Sequence, residues 1–244
     1  MQTEHLVDLP DGRRMKATLA VPAGPAPEGG WPGVLVVHEV FGWTQEIADV
    51  ADTFAARGWV AVVPDVFSAG TTIGCLVRSL REVQAGKAGP VTDDLHAVLG
   101  WLQGREEVDG ERTATIGFCM GGAFALLLAA RPGWAASSVN YGILPDDLDA
   151  ALAGACPVVA SFGGADPVLR GAAEKVRAAA GRAGVVADVE EYPGARHGFM
   201  NRLTARSPLT TLMRVGGVGY DHDASADARR RILAFFDTHL RPPT

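Results

Sequence analysis

Three residues of this chain have the types and order needed for nucleophilic acyl chemistry: Cys119, Asp166 and His197. Cys119 lies in Gly117-Phe118-Cys119-Met120-Gly121-Gly122, a Gly-x-nucleophile-x-Gly elbow with cysteine where many hydrolases carry serine. A strand-like stretch precedes it and the helix former AFALLLAA follows, so Gly117 and Gly121 would let the chain turn sharply between the two. The turn seats Cys119 at a helix N-terminus, where the backbone's partial positive charge favours a negative sulfur. A thiol nucleophile needs a base, and the base an orienting acid. Asp166 lies in Phe162-Gly163-Gly164-Ala165-Asp166-Pro167 and His197 in Ala195-Arg196-His197-Gly198-Phe199, each just after a strand-like run. Singly, each has a plainer role: a small buried hydrophobe, a turn-starting aspartate, a solvated histidine. Their joint occurrence at three strand ends favours a triad.

A fourth signal is His38-Glu39-Val40-Phe41-Gly42, directly after the run 34–37. A loop in this place can donate one backbone N–H to an oxyanion, and the residue after the nucleophile the other, which nominates Val40 and Met120. Glu39 is unexpected, because a carboxylate near a thiol opposes thiolate formation. Phe41, Trp43, Phe118, Phe199 and Tyr141 suit either a small, partly apolar pocket or ordinary core packing.

These residues need a scaffold that brings strand ends to one edge. Apolar runs at 34–37 and 60–63 suit parallel strands covered on both faces, and 113–116, 137–141, 157–162 and 187–192 add four more candidates. Helical patterns fall at 45–57, 73–84, 91–103, 123–130, 169–181 and 225–240. The alternation predicts an α/β fold with a mostly parallel sheet and helices on both faces. Segments 5–9 and 15–21, joined through Asp11-Gly12, predict an N-terminal antiparallel hairpin. The stretch 23–33 reads as a surface loop, and 203–223 as a lid or binding loop.

The 244 residues, 48% hydrophobic and 20% charged, fit one domain over 1–244. A net charge of −6 with no Lys/Arg run argues against nucleic acid or an anionic membrane as partner. No apolar run approaches the roughly 20 residues of a membrane span. Glu4, Asp8 and Asp11 break any secretory signal, and three unpatterned cysteines suit a reduced compartment, so a cytoplasmic location is expected. No zinc-type His/Cys spacing and no Gly-x-Gly-x-x-Gly after a strand is present, so neither metal nor cofactor is expected.

With its His-Glu-Val-Phe-Gly and Gly-Phe-Cys-Met-Gly-Gly motifs followed by the Asp and His loops, the chain resembles the dienelactone hydrolase family (carboxymethylenebutenolidases) of the α/β-hydrolase superfamily, over 34–240. The resemblance implies hydrolysis of a small ester or lactone by a Cys119–His197–Asp166 triad through a thioester, by a monomer or small homo-oligomer. It also implies that Glu39 is linked to the resting thiol and changes partner when substrate arrives. Family members that cleave dienelactone hold its carboxylate with two arginines. Here the position four after the histidine is Asn201, followed by Arg202, and no arginine falls cleanly on the other place, although Arg78 and Arg81 are near it. This departure opens the question of substrate and leaves the reaction type untouched. The rival readings are a peroxide-sensing thiol at Cys119, with Cys75 and Cys156 as poor resolving partners, and a non-catalytic module that keeps only the fold.

Overall fold

The N-terminal hairpin pairs β1 (Gln2–Asp8) with β2 (Arg14–Ala20). In the computed structural model, which describes residues 2–202 and 218–240, six further strands join it. They are β3 (Trp31–Val37), β4 (Val60–Pro64), β5 (Val108–Phe118), β6 (Ala136–Asn140), β7 (Val158–Gly163) and β8 (Ala187–Tyr192). The sheet order is β1-β2-β4-β3-β5-β6-β7-β8. β2 meets β4 antiparallel, and every pairing from β4 to β8 is parallel. Between the strands run α1 (Gln45–Ala56), α2 (Thr72–Ala85), α3 (Pro90–Gln103), α4 (Met120–Ala129), α5 (Leu148–Leu152) and α6 (Ala172–Ala183), with α7 (His222–His239) last.

All residues of β3 and β4 are buried, as expected of apolar strands covered on both faces. Side chains alternate across β3, so it feeds two cores. Val34 and Val36 share one core with Phe54 of α1 and Phe236 of α7. Leu35 and Val37 share the other with Leu95 and Leu99 of α3. α4 is buried at every residue, which its apolar sequence requires. The elbow helix is therefore held by packing along its whole length. Glu82 of α2 accepts hydrogen bonds from the N–H groups of Gly89, Val91 and Thr92, which fixes the start of α3. Among the described residues, no helix is long and apolar enough to cross a membrane.

The structure departs from the sequence expectation in three places. β3 begins at Trp31, so the loop expected over 23–33 stops short of Trp31, Pro32 and Gly33. β5 begins at Val108, before the polar Asp109-Gly110-Glu111-Arg112 run, and pairs with β3 across an irregularity at Pro32/Gly33. α5 is a short helix that no periodicity marked. Of the lid expected over 203–223, residues 203–217 lie outside the described residues.

Candidate active site

Cys119 sits between the end of β5 and the start of α4 with φ 53° and ψ −114°. Positive φ is costly for a side-chain-bearing residue, about 1–3 kcal/mol, and persists only where surroundings enforce it. Here they do. The Cys119 N–H donates to the Asn140 carbonyl at 3.0 Å, and the Ala123 N–H donates to the Cys119 carbonyl at 3.2 Å. A Cβ on Gly117 would stand 1.9 Å from the Gly121 oxygen, and one on Gly121 would stand 2.2 Å from the Val37 oxygen. Only glycine lets the elbow close against β3.

The elbow presents the thiol to His197, whose Nε2 lies 3.1 Å from Cys119 Sγ. His197 Nδ1 lies 2.6 Å from Asp166 Oδ2. Asp166 is fully buried in the loop after β7, and its Oδ1 accepts the Val168 N–H at 2.9 Å. His197 follows β8, where a short bridge to Val218 anchors it. Burial opposes charge on His197, but the hydrogen bonds to Asp166 and Cys119 outweigh it and raise its pKa to about 10. Burial also works against charge on Asp166, and the bond to His197 overcomes it, holding the carboxyl below its ordinary value.

The loop after β3 is fixed by His38, which is fully buried. Its Nδ1 lies 2.7 Å from the Glu39 carbonyl, and its Nε2 accepts the Val66 N–H at 3.1 Å. That pattern puts the proton on Nδ1. Burial pushes the His38 pKa down, in keeping with a neutral ring. Val40 thus extends from a pinned loop. Neither the Val40 N–H nor the Met120 N–H has an acceptor among the described residues.

Glu39 is buried and points to the same edge. Its Oε1 accepts the Tyr141 hydroxyl at 3.1 Å and the Asn201 Nδ2 at 3.2 Å. Burial raises the Glu39 pKa, and the two hydrogen bonds only partly offset it. No hydrogen bond joins Glu39 to Cys119: the thiol is bonded to His197, not to the glutamate as the resemblance implied for a resting site. Tyr141 has φ 39° and presents its ring edge-on to His197 at 5.4 Å between centroids. Burial, together with the nearby Glu39 and Cys119, holds its hydroxyl well above the usual phenol range, so it stays a donor.

The residues expected to touch substrate fall into three groups. Phe41 is half-buried and lines a cleft of about 550 Å³ with Trp43, Phe67 and Lys16. Phe199 and Asn201 are buried: Phe199 packs against Tyr141 and Tyr192, and Asn201 spends its amide on Glu39 while its Oδ1 accepts from Arg229. The arginines are directed elsewhere. Arg78 pairs with Asp94 at 3.7 Å, Arg81 lies on the exposed face of α2, and Arg202 stacks over Tyr220 at 4.6 Å. None has a hydrogen bond or ion pair to Cys119, His197 or Glu39 among the described residues. Sequence reasoning missed Tyr141 as the partner of Glu39, His38 as the pin of its loop and Arg229 as the anchor of Asn201. The position of Tyr141 directly after β6, on the site edge, was the available signal. Arg229 lies mid-helix and carries none.

The comparisons agree with this architecture. A sequence profile of the dienelactone hydrolase family matches residues 15–240. A protein of Azospirillum brasilense, provisionally named carboxymethylenebutenolidase, is 29% identical over 98% of this chain and 99% of its own. Another so named, from Yersinia pestis, is 31% identical over 86% of this chain and 79% of its own. Among solved structures, a provisionally named dienelactone hydrolase of Klebsiella pneumoniae superposes with TM-score 0.77 at 26% identity, covering 97% and 98% of the two chains. A dienelactone hydrolase-like promiscuous phosphotriesterase from metagenomic libraries gives 0.78 at 25% identity, covering 98% of each chain. By profile, fold and relatives, the chain belongs to the dienelactone hydrolase family and is a hydrolase of the ester and lactone class.

Proposed function

We propose that this hydrolase cleaves a small carboxylic ester or lactone through Cys119, His197 and Asp166, by way of a thioester acyl-enzyme. The observation that carries the reading is the unbroken line of contacts, 3.1 Å from sulfur to imidazole and 2.6 Å from imidazole to carboxylate. With the thiol proton on His197, the sulfur attacks the acyl carbon. The Val40 and Met120 N–H groups donate to the oxyanion that forms. The imidazolium, stabilised by Asp166, gives its proton to the leaving alkoxide or enolate. His197 then takes a proton from water, the hydroxide adds to the thioester, and the acid departs as Cys119 recovers its proton. Burial favours the neutral form of Glu39, which spares the sulfur a second negative charge at close range. The reading treats 1–244 as one domain acting on a free small molecule, as monomer or small homo-oligomer, with Cys119, Asp166, His197 and Glu39 as the chemical residues.

The direct test is Cys119→Ala. Turnover of a p-nitrophenyl ester should fall by about a thousandfold or more, and the acyl adduct seen by mass spectrometry on rapid quench should vanish. Retained turnover would refute the mechanism. A redox role for Cys119 needs a resolving thiol. Cys75 is buried beside Arg78, and burial pushes the Cys156 thiol up to about 12, so neither favours that role. A reversible intramolecular disulfide to Cys119 after mild peroxide would revive it.

A further inference from the structure

α7 and the turn leading into it hold the loop after β8 at successive residues. The Gly219 N–H donates to the His197 carbonyl at 3.1 Å, and the Asp221 N–H donates to the Phe199 carbonyl at 3.0 Å. Ser225 is buried, and its hydroxyl donates to the Met200 carbonyl at 3.2 Å. Three donors thus fix the loop's main chain independently of Arg229.

Arg229 is half-buried one turn further along α7 and adds a different kind of contact. Its Nη2 donates to the Met200 carbonyl at 2.8 Å and to Asn201 Oδ1 at 3.3 Å, and its Nε to Ser225 Oγ at 3.3 Å. A guanidinium only donates, so Asn201 must turn its oxygen to Arg229. Its amide nitrogen then faces the other way, donating to Glu39 Oε1 at 3.2 Å. Without such a neighbour, an amide can present either end to a carboxyl. The nitrogen end suits a carboxylate. The oxygen end suits only a protonated carboxyl, which can donate to it.

The orientation matters because of the groups that face Glu39. Burial raises the Glu39 pKa; the Asn201 bond, the Tyr141 bond and the His197 charge lower it, while Glu46 of α1 acts with burial. Among the described residues, these come from the loops after β6 and β8 and from α1. The Arg229 charge also reaches Tyr141, where it acts against burial.

Deepening the reading of Glu39 and Cys119 as chemical residues, we propose that Arg229 is a positioning residue for Glu39: by locking the Asn201 amide, it keeps a second donor on Oε1 and favours the ionised carboxyl. With Tyr141 and Asn201 both bonded to Oε1, the proton of the neutral form goes to Oε2.

The test uses the full chain and reads the sulfur directly. The rate of Cys119 alkylation by iodoacetamide is followed from pH 4 to 9 by mass spectrometry of the Cys119 peptide. The step that Glu39→Gln abolishes marks the Glu39 titration. Arg229→Met should move that step up by about one unit, the size of one lost hydrogen bond to a charged group. Asn201→Ala should move it in the same direction, and adding Arg229→Met to it should move it no further. Should the methionine variant not fold, Arg229→Gln takes its place, since a glutamine amide can turn either end to Asn201 and no longer fixes it. The absence of a Glu39-dependent step in the unmodified protein overturns the proposal. So does an unmoved step with a lowered melting temperature, which makes Arg229 a brace for the Met200 carbonyl. A shift that persists in full on the Asn201→Ala background overturns it as well, because Arg229 then acts by charge alone. Ester turnover retained by Cys119→Ala sinks the triad reading, while the alkylation profile still judges Arg229.

Discussion

Tyr141 donates its hydroxyl to Glu39 Oε1 at 3.1 Å, tying the loop after β6 to the loop after β3 across the end of β5. The bond crosses directly over the strand that carries Cys119. It joins a carboxyl whose burial disfavours charge to one of its two donors. Tyr141→Phe removes that donor and leaves the ring, so the buried carboxyl loses stabilisation of its charged form. The Glu39 pKa, already raised by burial, should rise further. The folded state should lose about 1–3 kcal/mol, the usual result of stripping a buried acceptor of a partner. If ionised Glu39 helps to ready the thiol, the acid limb of the kcat/KM profile moves to higher pH in this variant. An unmoved limb with lowered stability would make the bond purely structural.

The His197–Asp166 contact makes stability depend on pH. His197 is raised from 6.5 to about 10 in the folded protein. A histidine with a raised folded pKa binds its proton more tightly when folded. Its contribution is therefore fully present below about 6.5 and is lost as pH rises through about 10. Thermal melts at pH 6, 8 and 10 should show the midpoint falling across that window. In Asp166→Asn the partner charge is gone, the His197 pKa drops, and the fall should flatten. An NMR titration of the His197 ring gives the direct reading, and a midpoint near 6.5 in the unmodified protein would contradict the account.

The sequence encodes part of this structure in local patterns and part only through tertiary contacts. The α/β architecture was legible because β3 and β4 are uninterrupted apolar runs and the amphipathic patterns between strands are long. Cys119, Asp166 and His197 were legible because glycines mark turns and each turn follows a strand. The β3 start was not, because Pro32 and Gly33 look like loop chemistry. In the fold Gly33 is a close approach, where a Cβ would come within 3.0 Å of Leu102 and 3.1 Å of Thr113. The polar run inside β5 hid its beginning in the same way. The Glu39 cluster was illegible for another reason. Its members come from four elements far apart in sequence, Glu39, Tyr141, Asn201 and Arg229, and no local pattern encodes their meeting.

The glycines of the elbow give a stability prediction independent of chemistry. Gly117→Ala would place its Cβ 1.9 Å from the Gly121 carbonyl oxygen, and the obstacle is backbone within a fully buried helix. Neither side can yield cheaply. The variant should lose at least about 3 kcal/mol, in the range of severe overpacking, measured by urea unfolding. Gly12→Ala is the control. Unlike Gly117 it has positive φ, but its Cβ would meet nothing within 4 Å, so only the backbone cost of about 1 kcal/mol remains.

Cys119 itself should trade stability for function. Its φ of 53° with ψ of −114° belongs to glycine's conformational range, and the flanking hydrogen bonds hold it there. Cys119→Gly and Cys119→Ala both remove the sulfur, so both should be inactive on esters. They differ in the backbone. Both lose the sulfur's contact with His197, but glycine adopts this conformation without a Cβ penalty, whereas alanine keeps the penalty. Cys119→Gly should therefore be more stable than Cys119→Ala by about 1 kcal/mol or more, despite glycine's larger entropy loss on folding. Matched denaturant curves decide it. An alanine variant as stable as the glycine variant would mean that the elbow imposes no strain, and that the nucleophile's position comes from packing alone.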